Sequence, residues 1–389
     1  MNIVYQQIVD RIEATVGANV RASTQERLAL LVMGMVKAKH ASPARIAAAL
    51  HELGITQAQE SSIERRIRRL ENDPQLTATL CFHPFAKHHL ALSRPQELLL
   101  ALDPTTQDDR VVMLTAAVWY RGRALPLAWA VWPANQPLQG AGFWERVEQV
   151  LDSVAQMLPP EVEVTWVADR AFGTPAFTDL IVARGWHYVV RVQGQTRCRD
   201  RLKREHQVRH LFRPNKRRAK LRGQAFKSRG WRDASVVALW GRRHKTPLCL
   251  VSDLPPKWYL LHLYRRRYPI EALFRHYKSY GWHWEHGQVT DLDHVQRLLV
   301  GMAWATWLVL LAGTVEVQQF LSKKPTGKRR TRPHCGKHSL FWHGLKRLHR
   351  LLCSSRLPLL NWLLDDWLAP TWQDQIRWHH ARVFVFANR

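Results

Sequence analysis

Over residues 1 to about 80 the apolar positions recur at helical spacing; beyond them the pattern changes to apolar runs of strand length. Thr24-Gln25-Glu26-Arg27 opens one periodic run that lasts through Lys37. Ser42-Pro43 reads as an N-cap followed by Pro in the first turn, so PARIAAALHEL is a short helix that Gly54 ends. Ser61-Ser62 then precedes IERRIRRL, a second helix rich in arginine. A short helix, a Gly-containing turn and a basic second helix are the parts of a helix-turn-helix. They are equally the parts of a plain helical bundle with a solvated basic face, and the pattern leaves both open.

The next region has a different rhythm. ELLLALDPTT, VVMLTAAVWYRG and RALPLAWAVWPA read as three strands, the last two joined through a tight turn at Arg121-Gly122. A helix from about 142 to 158 follows, then a strand, EVEVTWVADRAFG, that ends in a polar turn. A helix over 175–184 and a strand, WHYVVRV, complete the set. Three strands, then helix, strand, helix, strand is the order of a ribonuclease H-like α/β fold, an antiparallel meander followed by helix-connected parallel strands. Residues 195–256 interrupt it with a very basic stretch and two strand-like runs, ASVVALW and TPLCLVSDL. They read as a β-rich insertion subdomain, or else as an irregular basic loop. The chain thus divides into a helical region (1–85), the first part of the core (86–194), the insertion (195–256), the last part of the core (257–315) and a basic helical C-terminal region (316–389).

Charge narrows the partner. Lys and Arg total 58 against 31 Asp and Glu, a formal +27, spread along the whole chain. Such a field favours a polyanion, nucleic acid first and an anionic membrane surface second. Arg65, Arg66, Arg68 and Arg69 are the helical candidates to face DNA. Leu298 to Val315 is uncharged and long enough to cross a bilayer, but a single such run fits a helix buried on all sides, and no membrane association is expected. The eighteen Trp offer base stacking or, more ordinarily, core. Five scattered Cys suit neither a disulfide framework nor a zinc ribbon, and Pro333 to His338 (PHCGKH) reads as a basic loop. With no signal peptide visible in MNIVYQQIVDRIEATV, a reducing cytoplasm is the expected compartment.

Three acids carry the candidate chemistry. Asp103 follows LLLAL at the expected end of the first strand, and Asp169 follows VTWVA at the end of the fourth. In a ribonuclease H-like sheet those strands are neighbours, so the two carboxylates would stand side by side. They would repel each other, and bound Mg²⁺ would relieve the repulsion. Two ions about 4 Å apart also suit an in-line phosphodiester displacement. Glu271, the single acid in YRRRYPIEALFRHYK, is the candidate third ligand, or else a surface partner of Arg267 or Arg275. On an ideal helix Tyr264, Arg267, Glu271 and Lys278 fall within roughly 60° of one face. Pro269 suits the first turn of a new helix better than a helix interior, so that argument is safest for Glu271 and Lys278.

With those residues the chain resembles bacterial DDE transposases of the insertion-sequence-four family. The family's Tyr, Arg, Glu, Lys signature is matched in spacing by Tyr264, Arg267, Glu271 and Lys278, and its first two acidic motifs by Asp103 in LDPTT and Asp169 in ADRAF. The long insertion before the Glu is also a family feature. The resemblance runs from about 97 to 315. It implies that Asp103, Asp169 and Glu271 hold two Mg²⁺, with Mn²⁺ able to substitute. It implies cutting at the ends of an insertion sequence and joining of the freed 3′-hydroxyls to target DNA. Tyr264, Arg267 and Lys278 would hold phosphates and a flipped base. Double-stranded DNA, as terminal repeats and as target, is the implied partner, and pairing two ends implies a homodimer. Arg170 is a further phosphate candidate, and Thr105 a candidate to orient Asp103; Glu285 and His286 read as structural. Alternatives are a nuclease of the same fold that does not transpose, and an inactive DNA-binding relative.

If the basic insertion clamps DNA, neutralising Lys216, Arg217, Arg218 and Lys220 together flattens the slope of log affinity against log salt by several units. An unchanged slope would remove the insertion from the DNA contact.

Overall fold

The computed structural model describes residues 3–353, apart from 94, 137, 243, 287, 288, 290 and 323–338. The PHCGKH tract and most of the expected 316–389 region lie outside the described residues.

Helices come first: α1 (Ile3–Val16), α2 (Ala22–Ala38), α3 (Pro43–Glu52), α4 (Glu60–Glu71), α5 (Ala78–Cys81) and α6 (His83–Ser93). Pro43 sits in the first turn of α3, as the SP signal expects. In α4, Ile63, Ile67 and Leu70 are buried at helical spacing while Arg65, Arg66, Arg68 and Arg69 stay exposed. That alternation is enough to fix which side of the helix faces the core.

A mixed sheet follows. Strands β1 (Glu97–Gln107), β2 (Val111–Tyr120) and β3 (Arg123–Pro133) form an antiparallel meander. Arg121 and Gly122 both have positive φ, 48° and 74°, which is the two-residue turn that suits the twist of a hairpin. Helix α7 (Gly142–Ala155) leads to β4 (Glu163–Ala168), and α8 (Pro175–Val182) leads to β5 (His187–Val192). β4 lies parallel to β1, and β5 parallel to β4.

The basic stretch after β5 is regular rather than an irregular loop. It forms β6 (Arg197–Asp200), β7 (Glu205–Gln207), β8 (Arg218–Ala225), β9 (Arg232–Leu239) and β10 (Leu248–Ser252). These strands continue the same sheet, in the order β3-β2-β1-β4-β5-β10-β9-β8-β6-β7. β10 returns to pair antiparallel with β5, so the β-rich segment is anchored to the core along a whole strand.

The chain then enters α9 (Tyr259–Arg265), breaks, and resumes as α10 (Pro269–Arg275), which runs into a π-helical turn over His276–Tyr280. Pro269 is in the first turn of α10, where its missing N–H costs nothing. Helix α11 (Leu292–Ser322) is long and apolar enough to cross a membrane, yet its apolar stretch is wholly buried inside the protein. It packs on α2, β3 and α12 (Leu340–Cys353). α11 and α12 cross at two glycines, Gly313 and Gly344: a Cβ on Gly344 would run into the Val309 carbonyl oxygen.

Trp282, Trp304 and Trp307 are fully buried around α11. An indole buries on the order of 200 Å², worth about 5 kcal/mol of transfer free energy. An unpaired N–H would take back about 1–3 kcal/mol of that. Each indole therefore donates: Trp282 to Thr306 Oγ1 at 2.9 Å, Trp304 to the Cys81 carbonyl at 2.7 Å, Trp307 to the Pro126 carbonyl at 2.8 Å. These three tryptophans are core, as the ordinary reading of the composition expects.

Glu71, at the end of α4, is 7% exposed. Burial pushes its carboxyl up from 4.5 to about 7, against Arg68 and with Glu64. A raised folded value favours the protonated form, so this side chain is harmless below its ordinary range and costs stability as pH rises through about 7. Glu71→Gln is expected to raise the unfolding free energy at pH 8 by roughly 3 kcal/mol and to leave it nearly unchanged at pH 4. An equal effect at both pH values would show that the charge is not what matters there.

Candidate active site

The acids are placed by register. The parallel pairing of β1 with β4 ends at Leu102 and Ala168, so Asp103 and Asp169 are the next residues on adjacent strands. β1 itself does not end at Asp103, as the sequence suggests; it runs on to Gln107, paired with β2 from Asp103↔Thr115 onward. What stops at Asp103 is the partner on its other side, because β4 gives way to a 3-10 turn over Arg170–Phe172. That frees one flank of β1 for a side-chain site. Thr105, two residues on, lies on the same face of the strand as Asp103.

Glu271 comes from α10, in its first turn, where the helix dipole favours a carboxylate. α10 packs on β3 and β1, and α9 on β4, β5 and β10, so the break between them falls over the two aspartates. Arg267 occupies that break. Its Nη1 donates to Asp103 Oδ2 at 2.6 Å and its Nη2 to Glu271 Oε1 at 2.8 Å. The Tyr264 hydroxyl donates to Asp169 Oδ1 at 3.0 Å, and Arg191 Nη1 lies 3.6 Å from the same oxygen. Arg267 thus joins Asp103 to Glu271, while Tyr264 and Arg191 hold Asp169.

The two aspartates are driven apart in acidity. Burial, with Asp169 and Glu271 reinforcing it and Arg267 opposing it, pushes the Asp103 carboxyl up to about 6. Burial also works on Asp169, but the Arg170 amide, the Tyr264 hydroxyl, Arg267 and Arg191 together hold it below the usual range. Tyr264 is pushed up by burial and by the Asp169 charge. Burial works against the charged form of Arg267, but Asp103 above all, with Tyr264, Asp169 and Glu271, raises it and keeps it charged.

Tyr264 and Arg267 are buried and engaged with the acids, rather than standing open as phosphate contacts. Lys278 lies 3.6 Å from Glu285 and sits in the π turn, which shifts its phase relative to Glu271. The single helical strip expected of the four signature positions is therefore broken twice, at 266–268 and at 276–280. His286 packs against the His40 and His283 rings, a structural role. Exposed Arg170 lines a cavity of about 320 Å³ with Arg191 and Arg209. Arg65, Arg66 and Arg69 lie on α4, which packs on α2, α3 and α11, not among the elements that carry the acids. Lys216, Arg217 and Arg218 are exposed where the chain enters β8, and the Arg218 guanidinium stands 5.8 Å over the Trp258 ring.

Arg191 escaped the sequence reading. Its signal was a cation inside the apolar strand HYVVRV, next to the strand that delivers Asp169. Among the described residues no three His, Cys, Asp or Glu side chains are grouped closely enough to share an ion. Instead, Asp103 and Glu271 share the Arg267 guanidinium, and Asp169 is held by Tyr264 and Arg191. In kind the three acids fit a hard divalent cation: all are carboxylate oxygens, and two already bind a positive group.

Asp103 and Arg267 have side chains only 16% and 8% exposed. Breaking such a pair from one side costs about 3–5 kcal/mol. Arg267→Met is expected to lower Tm sharply at pH 8, and adding Asp103→Asn to recover most of the loss. A single variant as stable as the parent would show that Arg267 is not the counter-ion of Asp103.

Residues 145–308, somewhat under half of the chain, match the model of the transposase DDE domain. The matched span contains Asp169, Tyr264, Arg267, Glu271 and Lys278 and begins after Asp103. No curated protein matches. Among solved structures, the cryo-EM structure of a piggyBac transposase synaptic complex with hairpin DNA is similar at 11% identity and a TM-score of 0.43, over 95% of this chain and 83% of that one. A likeness that loose carries no argument about this chain. The domain match supports a DDE transposase.

Proposed function

We propose that the protein is a transposase of the insertion-sequence-four type, with a ribonuclease H-like core, that cuts at the ends of its element and joins the 3′-hydroxyls to target DNA. The observation that carries this reading is the register that sets Asp103 beside Asp169, with Glu271 tied to Asp103 through one guanidinium. The strand order β3-β2-β1-β4-β5 supports the core assignment, and the domain match supports the reaction class.

In this reading Asp103, Asp169 and Glu271 hold two divalent cations, Mg²⁺ by preference and Mn²⁺ as substitute. When bound, these ions would supply activation of the attacking hydroxyl and charge neutralisation at the leaving 3′-oxygen. Tyr264 fixes the rotamer of Asp169, so that this acid presents its remaining oxygen in one direction. Asp169, held below the usual range, is charged at neutral pH and ready as a ligand. Arg170 and Arg191 bring positive charge beside Asp169, suited to a phosphate next to the cut, and Lys278, near Glu285, would hold another. Arg65, Arg66 and Arg69 on α4, and Lys216, Arg217 and Arg218 on the extended sheet, would hold duplex DNA farther out. The helical region 1–85 would then serve DNA binding, 86–194 and 257–315 catalysis, and 195–256 the clamp. Two copies would pair the two ends, and the work would be done in the cytoplasm, on the nucleoid.

The test is a Mg²⁺-dependent assay on plasmid DNA carrying the sequences that flank the protein's own gene. The parent is expected to cut and to yield joined products. Asp103→Asn, Asp169→Asn and Glu271→Gln should each lose about a thousandfold or more in rate while still binding DNA. Cutting without joining would leave a nuclease of the same fold. Undiminished cutting by any of the three variants would overturn the site.

A further inference from the structure

Arg267 contacts, through two nitrogens, the same carboxylate oxygens that the proposed function gives to metal ions. A guanidinium in contact with Asp103 Oδ2 and Glu271 Oε1 opposes a divalent cation on the same two carboxylates, because like charges at contact distance repel and the arginine already takes one lone pair of each oxygen. We propose that Arg267 is a built-in counter-cation of the acid site: it must leave Asp103 and Glu271 before an ion is held there, and the phosphates of bound DNA draw it away. This inference rests on the three acids being the metal ligands.

Several features suit an exchange. The Arg267 guanidinium is not fully anchored, since its buried Nε has no hydrogen-bond partner. One of its two carboxylate partners is open to solvent: the Glu271 side chain is 48% exposed, against 16% for Asp103. The guanidinium also lies 5.6 Å from the ring of Tyr268, which is 56% exposed and leads from the buried site to the surface. An arginine can slide along such a ring without losing its cation–π attraction. Phosphate, with its bidentate geometry and full charge, is the partner that competes best with a carboxylate for a guanidinium.

Without DNA, Arg267 keeps Asp103 neutralised and the site closed to ions. With DNA, the same residue turns to the backbone and the acids are released to metal. Coupling of this kind is reciprocal: DNA raises ion affinity by the same factor as ions raise DNA affinity. The cleavage site would thus assemble only on substrate.

The experiment is a Mn²⁺ titration followed by electron paramagnetic resonance of the free ion, on the full chain without DNA. Arg267→Gln, which keeps a donor for Asp103, is expected to bind Mn²⁺ at least about tenfold tighter than the parent. The parent is expected to gain a similar factor on adding duplex DNA, and the variant little. A variant that binds no tighter than the parent overturns the inference. If the tight binding of Arg267→Gln survives Asp103→Asn, the ion is not at the acids, and the site reading fails with the inference. No binding to any form, with or without DNA, has the same consequence. To guard against misfolding of the variant, the parent is also followed by its ¹⁵N-arginine Nε resonances. The signal absent from Arg267→Gln should shift when Mg²⁺ and DNA are added together; an unmoved signal at saturating Mg²⁺ and DNA contradicts the exchange.

Discussion

Two carboxylates brought side by side in a half-buried place do not remain charged unless something positive stands with them. In this chain the register of β1 on β4 forces that situation, because the paired strands part at Leu102 and Ala168 and the next residue on each is an aspartate. Arg267 answers it, reaching one aspartate directly and bringing Glu271 in beside it. Arg191 supplies positive charge to the other aspartate, and the Tyr264 hydroxyl donates to the same oxygen, Oδ1. The break between α9 and α10 follows from this need. A straight helix across 259–275 would carry Arg267 and Glu271 at helical spacing, but the Pro269 break lets Arg267 reach into the cleft while Glu271 starts a fresh first turn.

The remainder of the molecule holds that segment in place. α10 packs on the sheet and continues into the π turn, which is backed by Phe341 of α12, stacked on His276 with ring centroids 3.9 Å apart. α12 in turn lies on α11 at a crossing that admits no side chain at Gly313 or Gly344. α11 is therefore the pillar on which the sheet, the α2 side of the helical region and the acid-bearing segment all rest, which explains why it is apolar all round.

Much of this was legible because it is local. Tight turns and strand-length runs are written in a few consecutive residues: Arg121-Gly122, Pro43 and Pro269 each have the role that their chemistry suggests, while Ser42 stands at the N-cap position of α3 without a side-chain capping hydrogen bond. The candidate acids were legible because two apolar runs lead into Asp and one Glu stands alone among cations. What was not legible depends on distant pairing. Nothing in TPLCLVSDL says that it will return to β5 and fuse the basic strands into one sheet, since its apolar run suits any central strand. Nor does the sequence tell that β1 continues past Asp103 on one side only, or that the helix after Arg275 widens to a π turn and spoils the single strip. The sequence offers Arg267 as a phosphate contact but does not show that it also bridges Asp103 and Glu271, because in sequence a cation near an acid has no address. Only the register gives it one.

Asp103, Asp169 and Glu271 are proposed to act together on one cation-binding site. Anomalous diffraction from crystals of the protein bound to duplex DNA and soaked with Mn²⁺ tests this. The expected result is one or two anomalous peaks within ligand distance of all three carboxylates, with Arg267 turned away from Asp103. Contradiction would be a saturating soak in which Arg267 still bridges Asp103 and Glu271 and no peak forms, or a peak that leaves either aspartate out.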